Sequence, residues 1–161
     1  MQNAKDTFYV ALRTRLAVLN PARTVVVRGA VRPAVMVAEN ELPQDGGDPM
    51  DTFALRWTGS TVDETEPLGL HGAVCSISFA TRGTAELSGM DRGRVLETLG
   101  HELRQILLPA VAVKQDFAGD AVVTLGSNVF WSEPAFGDAS EIDGVMKRVA
   151  TVQVFALGGA A

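Results

Sequence analysis

The stretch from His71 to Pro109 sets the terms for the rest of the chain. It holds a run that alternates like a strand, a glycine break, and then apolar residues at helical spacing. Ala73, Cys75, Ile77, Phe79 and Thr81 fall on one face of the run; Val74, Ser76, Ser78 and Ala80 fall on the other. Successive side chains of a strand point to opposite faces, so the first set faces a core and the second is small and partly polar. Arg82-Gly83-Thr84 breaks the run, with Gly83 free to take a positive φ. Ser88 or Asp91 is placed to cap a helix. Leu96, Leu99, Leu103 and Ile106, flanked by Val95 and Leu107, then form a helical stripe. Pro109 ends it, because proline offers no amide and its ring clashes with the preceding turn. A strand and an amphipathic helix joined this way need further strands to complete a sheet that buries the helix.

Lys5 to Leu19 reads as a first helix, with Phe8, Leu12, Leu16 and Leu19 in its stripe and Lys5, Arg13 and Arg15 off it. Asn20-Pro21 ends that helix, since the residue before a proline is pushed out of the α region. Thr24 to Arg28 and Val31 to Glu39 are strand-like runs parted by Gly29, with Pro33 confined to an edge or bulge. Glu39 to Asp51 and Gly59 to Gly69 read as polar loops around a strand from Thr52 to Thr58, whose Phe53, Leu55 and Trp57 share a face. Val111 to Phe117 and Ala121 to Leu125 are short strands about a turn at Ala118-Gly119-Asp120. Ser127 to Phe136 is partly extended, and Val145 to Leu157 is a closing strand. Strands joined by short loops pair antiparallel, and two amphipathic helices can cover one side of their sheet. The expected fold is a single α+β domain over residues 1–161: a mostly antiparallel β-sheet with two helices packed on one face, a two-layer sandwich.

A chain of 161 residues can bury a core of its own. Nothing in it approaches the ~18 apolar residues of a membrane span, so no membrane partner is expected. Met1 to Asp6 is polar and lacks the apolar segment of a secretion signal. Cys75 stands alone, which excludes an internal disulfide and suits a reducing compartment. The formal net charge of −5 argues against a sequence-independent nucleic-acid binder, which needs a basic footprint, and no sequence-specific nucleic-acid partner is expected. That charge is uneven: residues 1–38 hold six Lys/Arg and one Asp, residues 39–66 eight Asp/Glu and one Arg. If the two segments lie on different sides of a subunit, the basic side of one copy can meet the acidic side of the next. Simple solvation of two faces explains the same charges.

His101-Glu102 begins like the HExxH of zinc proteases, but Gln105 stands where the second imidazole would complete the site. With two His and one Cys in the whole chain, no metal is expected. His71 and Cys75 would lie about 13 Å apart on a strand. Cys75 also shares its face with Ile77 and Phe79, where a thiol is inert. Gly46-Gly47 and Gly89 to Gly93 lack the Lys and Ser/Thr of a phosphate loop. Glu39, Glu41, Asp45, Asp48 and Asp51 lack the alternation and closing Glu of a calcium loop. No catalytic residue and no cofactor is expected. Trp57, Phe130 and Trp131 lie in or beside loops and, with Arg13 and Arg15 on the first helix, are candidates for a subunit interface. The aromatics are equally at home in a core.

The layout over nearly the whole chain resembles phage tail terminator (tail completion) proteins. The resembling pieces are a helix FYVALRTRLAVLNP, a strand AVMVAEN running into an acidic loop, strands DTFALRW and CSISFATRGT, a helix DRGRVLETLGHELRQIL and a closing strand RVATVQVFAL. The resemblance implies a small α/β virion subunit that assembles, in the host cytoplasm, with copies of itself into a ring, typically a hexamer. Such a ring caps the tail tube, stops its polymerisation and meets the head connector or neck protein, with no catalytic residue and no cofactor. Two other classes stay open. One is another neck, baseplate or contractile-injection subunit; the other is a small soluble ligand-binding domain or enzyme with an unrecognised site.

Overall fold

The structure, a computed structural model, describes residues 1–42, 47–63 and 69–157, with the backbone alone at 61–63. Helix α1 (Gln2–Leu19) is followed by a two-stranded antiparallel arm, β1 (Thr24–Val27) and β2 (Ala30–Pro33). Next come β3 (Val35–Val37), the short helix α2 (Ala38–Glu41), and two long strands, β4 (Phe53–Asp63) and β5 (Leu70–Thr81). Helix α3 (Arg92–Ile106) leads to β6 (Val111–Asp116), β7 (Val123–Trp131), β8 (Ala135–Phe136), β9 (Ser140–Ile142) and β10 (Val145–Leu157). The main sheet runs β3-β4-β5-β10-β7-β6, and β8 and β9 also pair with β10.

This is the expected α+β fold, with one pairing of the opposite sense. β3 lies parallel to β4, while the other pairings of the sheet are antiparallel. Parallel neighbours need a crossover of a dozen or more residues. Residues 38–52, with α2 inside them, supply one.

β10 is the spine. Along one side it pairs with β5 from Met146↔Thr81 to Leu157↔Leu70; along the other it meets β9, β8 and β7 in turn. The register puts Val152 opposite Cys75 and Ala150 opposite Ile77, so the inward residues of both strands share one buried face. Phe8, Leu12 and Leu16 of α1 and Leu96, Leu99, Leu103 and Ile106 of α3 fill that face. Leu19, expected in the α1 stripe, is exposed at the helix end. The sheet curls around α1. Phe8 therefore meets Trp57 from β4 at 6.0 Å and Trp131 from β7 at 5.2 Å, although β5 and β10 lie between those strands.

Several expected boundaries move. Val31 to Glu39 is not one strand: it divides into β2, β3 and the first turn of α2, a third helix, where Glu41 Oε2 accepts from Val37 N at 2.7 Å. Gly59 to Gly69 is not a loop from its start, because β4 continues to Asp63. A register shift between Trp57 and Gly59 hides the continuation by breaking the alternation. Of the two expected loops, residues 43–46 and 64–68 lie outside the described residues, as does the tail at 158–161. The loop end that is described packs on the outer side of β5, with Asp51 N donating to Ala80 O at 2.7 Å. Ala121 to Leu125 and Ser127 to Phe136 are replaced by the single strand β7 and the two-residue β8. β7 runs straight through Gly126, where open space surrounds the missing side chain.

Asp91 does sit at the start of α3, but its carboxylate turns back to Thr84, accepting from N and Oγ1 at 2.8 Å each. These bonds, the backbone one foremost, hold its pKa below the ordinary carboxylate value. Gly83 makes that turn possible: it takes φ +76°, and a Cβ there would lie 2.6 Å from Asp91 Oδ1.

Candidate interaction surface

The five residues expected at an interface separate on folding. Trp131 is a core residue: it is 4% exposed, and its Nε1 donates to Leu107 O at 2.8 Å. That corrects its reading as a surface anchor. Its neighbour Phe130 faces outward, because consecutive strand residues take opposite faces. Arg15 is committed inside the subunit as well. Its guanidinium lies over the Trp131 ring at 5.0 Å and donates to Ile106 O (3.1 Å), Pro109 O (2.6 Å) and Val111 O (3.1 Å). It thus ties α1 to the end of α3 and the start of β6, serving at Ile106 a carbonyl that the helix end leaves open. Arg13 is half-buried over the Tyr9 ring at 5.3 Å, and its Nε finds no hydrogen-bond partner among the described residues. Trp57 is half-buried between Phe8 and the Lys5 ammonium, and its backbone N donates to Glu39 Oε1 at 2.7 Å.

The basic and acidic segments also meet inside the subunit, so the condition that they lie on different sides is not met where Arg32 and Glu41 pair. The crossover from β3 to β4 brings the acidic segment back beside α1 and the arm. Arg32 pairs with Glu41 at 2.5 Å, and Tyr9 Oη donates to the same carboxylate at 3.2 Å. Burial, then the Glu41 charge, raises the Tyr9 pKa. Asp48 accepts from Ser78 Oγ (2.7 Å), Lys147 Nζ (2.9 Å) and Arg56 Nη2 (3.2 Å).

Among the described residues His101, Glu102, Cys75 and His71 are not brought together. His101 is exposed on α3, while Glu102 turns inward to Arg23 and Asn20. Cys75 is fully buried, and burial pushes its pKa up to about 12. His71 lines a surface cleft with Met1, Gln2, Lys114 and Leu125, and Cys75 is not among its walls. Among the described residues no three His, Cys, Asp or Glu side chains converge as metal ligands. No described helix is long and apolar enough to cross a membrane.

What the surface does offer is apolar side chains on projecting pieces. Val26 and Val31, cross-strand partners on the arm, are 66% and 68% exposed. Arg28-Gly29 closes the arm with φ of +50° and +81°, the signature of a two-residue turn with both residues left-handed. On β9, Ile142 is 71% exposed, and the nearby Met90 84%. Arg92 links the two places, donating to Gly89 O at 3.0 Å and to Glu141 Oε1 at 2.7 Å. Phe130 and Val113 stand out on β7 and β6. Of these only Phe130 was singled out in the sequence. Three consecutive valines, Val25 to Val27, put an apolar group on each face of β1 whatever its phase, and that was the available signal for the arm.

No family model matches the chain, and no curated protein matches it. Among solved structures it is similar to a chain of the "Virion of native gene transfer agent (GTA) particle", with a TM-score of 0.35 and 18% sequence identity over 96% of this chain and 94% of that one.

Proposed function

We propose that this chain is a phage virion structural protein, a tail terminator whose copies close into a ring on the end of the tail tube and face the head connector. The observation that carries the reading is the placement of apolar groups. The interior is filled by the subunit's own helices, while Val26 and Val31 on the arm, Ile142 on β9 and Met90 in the turn before α3 are largely exposed. Exposed apolar groups rimmed by charge mark surfaces meant for another protein. The order of elements agrees with the tail terminator layout: leading helix, strand into the acidic crossover, long strand pair, second helix and closing strand. No catalysis is assigned to the chain, and its partners are its own copies, the tube protein and a connector or neck protein.

The test is sedimentation of the purified chain, followed by electron microscopy with isolated tail tubes. The expected result is a closed ring that binds one end of a tube and halts its growth. Rings that ignore tubes would move the protein to another part of the virion or to a contractile device. A chain that stays monomeric with and without tubes would end the reading.

A further inference from the structure

At the end of the sheet where β3 begins, the strands lie in the order β3, β4, β5, β10, β9. The arm is attached beyond β3, where Ala34 N donates to Arg23 O at 3.1 Å. β9 forms the opposite flank, four strand spacings from β3, or about 19 Å. The arm and β9 therefore lie at opposite edges of this end of the sheet.

Their chemistry is complementary. From residue 20 to residue 35 the charged residues are Arg23, Arg28 and Arg32; from 133 to 143 they are Glu133, Asp138, Glu141 and Asp143. Arg23 and Arg32 are spent on Glu102 and Glu41, which leaves Arg28 exposed at the arm tip. Glu141 is paired with Arg92, while Glu133, Asp138 and Asp143 are exposed with no ion pair among the described residues. Beside each charge lies an apolar group of matching exposure: Val26 and Val31 on the arm, Ile142 and Met90 at β9. Among the described residues β9 pairs with β10 alone. The other flank strand, β6, is closed to a visitor because Arg15 holds Val111 O and Thr7 Oγ1 holds Gln115 N at 2.9 Å.

We propose that the β1–β2 arm of one copy docks on β9 of the next, Val26 and Val31 against Ile142 and Met90, with Arg28 toward Asp138 and Asp143. The proposal rests on the ring reading and supplies its contact. The two surfaces differ, so the contact is heterologous, and copies so joined close into a ring when the rotation between them divides the circle. Each copy makes the contact twice in a closed ring, once with its arm and once with β9, so a small patch suffices. The apolar groups give the affinity, and the charges steer and set the register.

Three variants of the full chain test it in sedimentation velocity: Val26→Glu with Val31→Glu, Ile142→Glu, and Arg28→Asp. All the altered side chains are exposed, so each variant should melt with the wild type. The first two should each stay monomeric at concentrations where the wild type assembles. Mixed together they should form a dimer and stop, because the mixture holds one intact arm facing one intact β9. Arg28→Asp should weaken assembly several-fold, and adding Asp138→Arg to the same chain should restore it. If the wild type assembles and the variants assemble equally, or if the mixture forms no dimer, the docking fails while the ring reading stands. A wild type that never leaves the monomer overturns both.

Discussion

The Glu102 carboxylate takes the Arg23 guanidinium on both of its oxygens, Nε on Oε2 and Nη2 on Oε1, the latter at 3.0 Å. Asn20 Nδ2 adds a third donor at 2.9 Å. Side-chain exposures of 16% and 10% place the pair mostly out of water. It pins the root of the arm to α3, so the Glu of the His101-Glu102 pair is engaged with Arg23 and Asn20.

Glu102→Ala strands the Arg23 cation and the Asn20 amide in a half-buried site. Losing charge-assisted hydrogen bonds there costs about 2–3 kcal/mol. The double variant with Arg23→Ala should cost less than the sum of the singles, because one pair is counted in both. Urea melts read both quantities. Dialysis against a chelator should leave the melting temperature unchanged; a drop restored by zinc would return His101 and Glu102 to metal binding.

Arg15 and Arg13 should part company. Arg15→Glu places a carboxylate against the carbonyls of Ile106, Pro109 and Val111, so it should destabilise the monomer by roughly 2–3 kcal/mol. Arg13→Glu gives up a ring contact with Tyr9 and should cost roughly 1 kcal/mol or less. Equal melts for the two variants would mean that Arg15 does not hold the three carbonyls in solution.

Cys75 should behave as a core methyl with sulfur. Burial, with Glu39 adding to it, pushes its pKa from 9.0 to about 12. A thiol reagent at pH 8 should leave the native protein unlabelled and label it fully in urea. The folded pKa is raised, so the stabilisation is complete below the unfolded value and lost as pH rises from about 9 toward 12. Cys75→Ala should flatten part of the alkaline loss of stability, with Tyr9 carrying the rest. Native labelling at the unfolded rate would place the thiol at the surface.

The stripe from Leu96 to Ile106 was legible because its burial follows a helical period; the alternation from Ala73 to Ile77 was legible for the same reason, while Ser78 and Ala80 are buried as well and the two-residue period of burial ends there. β4 was cut short at Thr58 because a bulge shifts the phase beyond Trp57. α2 has four residues, too few for any period to show. Phe130-Trp131 exposes the limit at the candidate site. Adjacent aromatics must face opposite ways, but which one faces in is set by the pairing of Trp131 with Val154 on β10, a contact 23 residues away. Asp143-Gly144, by contrast, carried a readable hairpin signal: both take positive φ between Ile142 and Val145, as Asp-Gly favours.

Asp48 gives the acid side of the pH profile. It holds the segment from 47 to 52 to the outer face of β4 and β5, where Ala54, Ser78 and Ala80 are buried. Burial alone would raise its pKa. Hydrogen bonds from Lys147 and Ser78, the Lys147 charge and a hydrogen bond from Arg56 outweigh that and hold it below the ordinary carboxylate value. A folded pKa lowered below the unfolded one gives stability that is present above the unfolded value of about 3.9 and lost as pH falls through the folded one. Both cations are about half exposed, so solvent screening limits the network to roughly 1 kcal/mol at pH 7. Asp48→Asn should therefore melt in less urea than the wild type at pH 7, and the two should converge as acid protonates Asp48 in the folded state. A gap that persists unchanged in acid would show that shape and hydrogen bonding at Asp48, not its charge, hold the segment down.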